Sequence, residues 1–156
     1  MKDQFESILQ SLETDKKRLN QHIPEWLTYL NIARGYLAAH GVDHPVVVEI
    51  GILDGAQRRF YEELLGATYI GIDIDRNAPA DIRGDSASPE TRDKLAAMLG
   101  GRPIDLLFID GLHTYAGVKA DFEMYYPMTR YIVALHDILT PKNCPEDTVD
   151  VIPFWE

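Results

Sequence analysis

The chain has 156 residues, 46% of them hydrophobic, and a formal net charge of −10. One sizeable core fits that length, and the charge argues against a nucleic-acid backbone or an anionic membrane surface as partner, since both reward clustered Lys and Arg. A single cysteine, Cys144, excludes an intramolecular disulfide framework and a cysteine-rich zinc site, and the polar start, with no signal region or membrane-length apolar stretch, predicts a soluble cytoplasmic protein.

Phe5, Ile8, Leu9 and Leu12 share one helical face, so residues 2–20 read as an amphipathic helix with a charged tail. Pro24 suits a first helical turn, and Trp26, Leu30, Ala33 and Leu37 recur at helical spacing until His40-Gly41 closes a second helix. These two helices, residues 1–43, are expected to pack on the core formed by residues 44–156, in one domain overall. Trp26, Tyr29 and Tyr36 are candidates for core packing or for the interface of a homo-oligomer. Val46-Val47-Val48-Glu49-Ile50 then runs as a buried strand into a loop holding Gly51 and Gly55. A helix over 56–65 follows and stops at Gly66, and a second strand ends at Asp73-Ile74-Asp75. A weak third strand lies within 80–86, as expected of an edge. Ser88-Pro89 starts a helix ending at Gly100-Gly101, Ile104–Ile109 is a fourth strand, Tyr115, Val118, Phe122 and Tyr125 give the next helix its face until Pro127 stops it, and Tyr131–Leu135 is a fifth strand ending at His136-Asp137. Strand and helix alternate, which predicts a Rossmann-like α/β/α sandwich on a mostly parallel sheet. Residues 138–156 contain three prolines and are expected to form no regular element.

A parallel sheet delivers every strand's carboxyl end to one edge. Glu49, Asp73, Asp85, Asp110, His113, His136 and Asp137 are therefore expected to converge. The glycine loop is a poor dinucleotide site: its spacing is wrong, position 53 is leucine, and Glu49, Asp54, Asp73 and Asp75 would repel phosphate and attract a cation. A sulfonium, an ammonium and a ribose diol suit such acids. Asp110 and Asp137, with an adjacent imidazole, suit a divalent cation, and His113, with an ordinary pKa of roughly 6.5, suits a proton acceptor.

Glu49-x-Gly51-x-x-x-Gly55, followed by a strand ending Gly71-Ile72-Asp73, resembles the class I S-adenosylmethionine-dependent methyltransferases. Phe108-Ile109-Asp110-Gly111-Leu112-His113-Thr114-Tyr115 and Ala134-Leu135-His136-Asp137 resemble one branch of them, the cephalosporin-hydroxylase-like and macrolide-sugar O-methyltransferases. The resemblance covers about residues 46–138 and implies an enzyme that methylates a small-molecule hydroxyl, with S-adenosylmethionine and Mg2+ as cofactors. It implies that Gly51 and Gly55 shape the methionine pocket with support from Glu49, that Asp73 binds the ribose and Asp85 the adenine amino group, and that Asp110 borders the cofactor. It further implies a metal held by Asp110 and Asp137, with His136 where an acid is frequent, and His113 as the base. That fold usually adds two further strands, so the domain is expected to be C-terminally incomplete. Two other readings stay open: a non-catalytic cofactor-binding or assembly module, and a nucleotide-sugar glycosyltransferase that grips a metal through Asp73-Ile74-Asp75.

Overall fold

Val46–Ile50 (β1) is the strand from which the sheet grows outward. In the computed structural model, which describes residues 1–138 and 151–155, all five positions of β1 are buried. Such a strand needs partners on both edges and cover on both faces. It pairs in parallel with Thr68–Asp73 (β2) on one side and Ile104–Ile109 (β4) on the other, and Ile82–Arg83 (β3) and Thr129–Leu135 (β5) complete the order β3-β2-β1-β4-β5. The direction of winding reverses between β1 and β4, which opens a crevice beyond their carboxyl ends.

Alternation along the strands sorts two cores. Val47, Tyr69, Leu106 and Phe108 face a layer made by Lys2–Thr14 (α1), Ile23–Ala39 (α2) and Arg58–Leu65 (α3), to which Phe5, Ile8, Trp26, Leu30 and Phe60 contribute. Val48, Ile50, Ile70, Ile72 and Leu107 face Pro89–Leu99 (α4) and Tyr115–Tyr125 (α5), through Leu95, Leu99 and Tyr125. This is the expected Rossmann-like three-layer architecture, with the N-terminal helices packed as core: Trp26 lies 5.6 Å from both Tyr61 and Phe108, ring centre to ring centre. Tyr36, by contrast, is exposed. No helix among the described residues is long and apolar enough to cross a membrane.

Three expectations need correction. The first helix ends at Thr14 rather than near residue 20, because Lys16 turns into the left-handed region with φ 56°. The segment from Asp15 to His22 is instead a loop that crosses the glycine loop. The stretch after Asp137, expected to hold no element, contains a helical turn at Ile152–Trp155 (α6), with Phe154 edge-on to Phe122 of α5 at 5.3 Å. One turn is too short to leave a periodic signal. Cys144 and the rest of 139–150 lie outside the described residues. The third correction concerns Glu49 and belongs to the site.

Candidate cofactor and catalytic site

The glycine loop takes its shape from its surroundings. Gly51 has φ 81°, and a Cβ there would sit 2.2 Å from the backbone oxygen of Asp110, so the β1 and β4 ends approach this closely only with glycine. Gly55, with φ 70°, packs beside Pro79 and shapes the loop without lining the cleft. Leu53 holds φ 51° although it carries a side chain. A conformation of that kind persists only where neighbours enforce it, and here Asp73 does so: one carboxylate oxygen accepts from Ile52 N–H at 2.8 Å and Leu53 N–H at 3.1 Å. Its other oxygen accepts from Asp75 N–H at 2.8 Å.

Beyond the strand ends lies a cleft of about 660 Å³, within the range of small-molecule sites. Asp73, Asp75, Asp85, Asp110, His113 and His136 line it, so six side chains from four strand ends meet as the topology requires. Leu53, Ile74 and Leu112 border the same cleft and are 63%, 72% and 64% exposed, an apolar rim suited to a flat ring. The sequence signals for this rim are weak: single apolar residues in polar loops.

Glu49 is not in the cleft. It is fully buried on the α1–α3 face of β1, where Tyr69 Oη donates to one carboxylate oxygen and the other oxygen has no partner among the described residues. Burial pushes its carboxyl up to about 8, against the Tyr69 hydrogen bond, which favours the ionised form. Burial thus favours the neutral form of Glu49. The expectation that it would repel phosphate fails because its carboxylate is enclosed in the core beside Tyr69 and does not line the cleft.

The densest chemistry follows β4 and β5. His113 Nε2 lies 3.1 Å from Asp110 Oδ1, and its Nδ1 lies 2.9 Å from Asp137 Oδ2. His136 Nδ1 lies 2.9 Å from Asp110 Oδ1 and 3.3 Å from Asp137 Oδ1, yet it is buried with no aligned hydrogen bond among the described residues. Asp137 reaches both imidazoles from a left-handed backbone, φ 54°. Burial would raise the Asp110 carboxyl, but the His113 and His136 imidazoles beside it together outweigh burial and hold the group below the usual range. The Asp110 hydrogen bond raises His113 against the opposing effect of burial, and at His136 burial, which lowers it, is overcome by the neighbouring carboxylates, which raise it. Ligand atoms of Asp110, His113 and His136 come within 4.8 Å of one another, close enough to share one cation.

Two neighbours of this cluster carry no sequence signal. Gln21, from the α1–α2 loop, donates its side-chain amide to Asp110 Oδ2 at 3.0 Å across 89 positions, and Asn20 beside it lines the cleft. Asp75, the second acid of the Asp-x-Asp reading, accepts from the Asn77 backbone at 2.8 Å and its side chain at 3.1 Å. That is a local turn, which accounts for the residue without a metal.

Comparison with known proteins agrees with this architecture. Residues 48–138, more than half of the chain, match the family described as Methyltransferase domain. The chain is 32% identical over 76 residues to ribosomal RNA large subunit methyltransferase E of Methanothrix thermoacetophila, covering 46% of this chain and 29% of that protein. Among solved structures it resembles MycE methyltransferase from the mycinamycin biosynthetic pathway, in complex with Mg and SAH. One crystal form gives a TM-score of 0.61 at 22% identity over 92% of this chain and 40% of MycE. The complex that also holds mycinamycin VI gives 0.58 at 22% identity over 69% of this chain and 32% of MycE. The chain thus spans well under half the length of the relatives it matches, and the MycE likeness is one of fold. Because the family match contains the glycine loop, the strand ends and the histidine cluster, the chain belongs to the methyltransferase-domain family.

Proposed function

We propose that the chain transfers the methyl group of S-adenosylmethionine to a hydroxyl oxygen of a small molecule. The observation that carries this reading is the convergence on one cleft of Asp73, Asp85, Asp110, His113 and His136 from four strand ends. The donor set suits the cofactor: Asp73 would accept from the ribose hydroxyls, Asp85 from the adenine amino group, and the Leu53, Ile74 and Leu112 rim would cover the base. S-adenosylmethionine supplies an electrophilic methyl group and leaves as S-adenosylhomocysteine. His113 takes the acceptor hydroxyl's proton on Nε2 once that nitrogen exchanges Asp110 for the substrate, while Asp137 at Nδ1 fixes its tautomer. Asp110, His136 and Asp137 would hold a divalent cation such as Mg2+, which would lower the hydroxyl's pKa. A small acceptor, rather than RNA, agrees with the net charge of −10.

Incubation with S-adenosylmethionine and a panel of sugars and phenols, followed as S-adenosylhomocysteine release, tests the reading. The wild type is expected to turn over at least one of these hydroxyls. His113→Ala is expected to lose about 100-fold or more of the rate with S-adenosylhomocysteine affinity kept. Unchanged turnover in His113→Ala would remove His113 as the base. Cofactor binding with no methylated hydroxyl would favour the non-catalytic module.

A further inference from the structure

We infer that the α1–α2 loop forms the wall of the site at the cofactor's amino-acid end, and that Arg18 in this loop holds the cofactor's carboxylate. The inference rests on the S-adenosylmethionine reading and deepens it. The loop is pinned across the glycine loop at two points: Arg18 N–H donates to Asp54 Oδ2 at 3.0 Å, and the Gln21 side-chain amide donates to Asp110 Oδ2 at 3.0 Å. Between these anchors is a second, smaller space of about 40 Å³ bordered by Arg18, Asn20, Gly51, Leu53, Asp54 and Asp110. Asn20, Gly51, Leu53 and Asp110 border the large cleft as well, so the two spaces adjoin. The smaller one has room for a carboxylate or ammonium group and none for a base or sugar.

Charge decides which group needs help there. Acids around both spaces serve the ammonium, but a carboxylate among Asp54, Asp73 and Asp110 requires a cation or free N–H donors. The loop's donors are largely committed: Ile52 and Leu53 N–H to Asp73, Gly55 N–H to the Ile52 carbonyl at 2.7 Å, and Ala56 N–H to Asp54 at 3.0 Å. Arg18 is the one Lys or Arg among the described residues bordering either space, and its guanidinium has no ion pair or hydrogen bond among the described residues. An unpaired guanidinium on a pinned loop is a suitable carboxylate partner.

Calorimetric titration of the wild type, Arg18→Ala and Arg18→Lys with S-adenosylhomocysteine and with 5′-methylthioadenosine tests this, since the second ligand keeps the adenosine and thioether and lacks the amino acid. Arg18→Ala is expected to weaken S-adenosylhomocysteine about tenfold, to leave 5′-methylthioadenosine within about twofold, and Arg18→Lys to recover part of the loss. An equal loss for both ligands would make Arg18 a fold residue, and an unchanged S-adenosylhomocysteine affinity would place the carboxylate elsewhere; either overturns the inference while the cofactor reading stands. A wild type that binds neither ligand overturns both.

Discussion

Burial gives Glu49 its character, and the consequence is measurable. Its carboxyl is pushed up to about 8 from an ordinary 4.5, so between those pH values the folded chain keeps a proton that the unfolded chain has lost. This contribution to stability is fully present below about 4.5 and declines as pH rises toward 8, by at most about 1.4 kcal/mol per pH unit. Glu49→Gln keeps an oxygen for Tyr69 and removes the titration. Between pH 5 and 8 the variant should gain about 2–4 kcal/mol on the wild type in urea denaturation, whereas parallel pH profiles would contradict a protonated Glu49. Asp105 is a second buried acid with no part in the site: it accepts from Val46 N–H at 2.8 Å and pairs with Arg130 at 3.1 Å, at the opposite end of the sheet. At the loop, Gly51→Ala must displace the Asp110 backbone, whereas Gly55→Ala meets a proline side chain at 2.9 Å. Gly51→Ala should therefore cost about 2–4 kcal/mol and Gly55→Ala about half as much or less. Equal losses in denaturant titration would show that the β1–β4 approach is not the constraint.

Among the helices, α2 uses Trp26 to pack against both α3 and the sheet. Trp26 is buried and contacts Tyr29, Phe60, Tyr61 and Phe108 in four aromatic pairs. Trp26→Ala should cost about 3–5 kcal/mol of unfolding free energy, while truncating the exposed Tyr36 should cost under about 1 kcal/mol. A small loss at Trp26 would mean that α2 docks by other contacts. Periodicity makes this helix legible in the sequence, because Trp26, Leu30, Ala33 and Leu37 repeat along one face and all four are buried. β1 and β4 are equally legible as apolar runs leading into glycine or Asp-Gly. The end of α1 is not: it depends on the left-handed turn at Lys16, which no apolar pattern announces. The same holds for the loop that carries Arg18, Asn20 and Gln21 to the site, since polar residues between two helices read as solvated until the fold lays them across the glycine loop.

The whole molecule supplies what no single segment contains. Asp73, Asp85, Asp110 and His136 are scattered over more than sixty positions, and the order β3-β2-β1-β4-β5 with every strand parallel brings them to one edge. Alternation of strands and helices is enough to foresee that edge. It does not tell which side of a strand an acid faces, and so Glu49, one residue from the end of β1, reads as a crevice acid although it belongs to the core. The proposed methyl transfer at this edge depends on S-adenosylmethionine binding through Asp73. Calorimetric titration of S-adenosylhomocysteine into the wild type and Asp73→Asn tests that contact, because asparagine keeps one oxygen for the Ile52 and Leu53 N–H groups and gives up only the acceptor for Asp75 N–H and the charge. We expect micromolar binding by the wild type, and a loss of about tenfold or more, about 1.4 kcal/mol, in the variant with its circular dichroism unchanged. A folded wild type that binds no S-adenosylhomocysteine, or a variant that binds it equally well, would refute a cofactor held by Asp73.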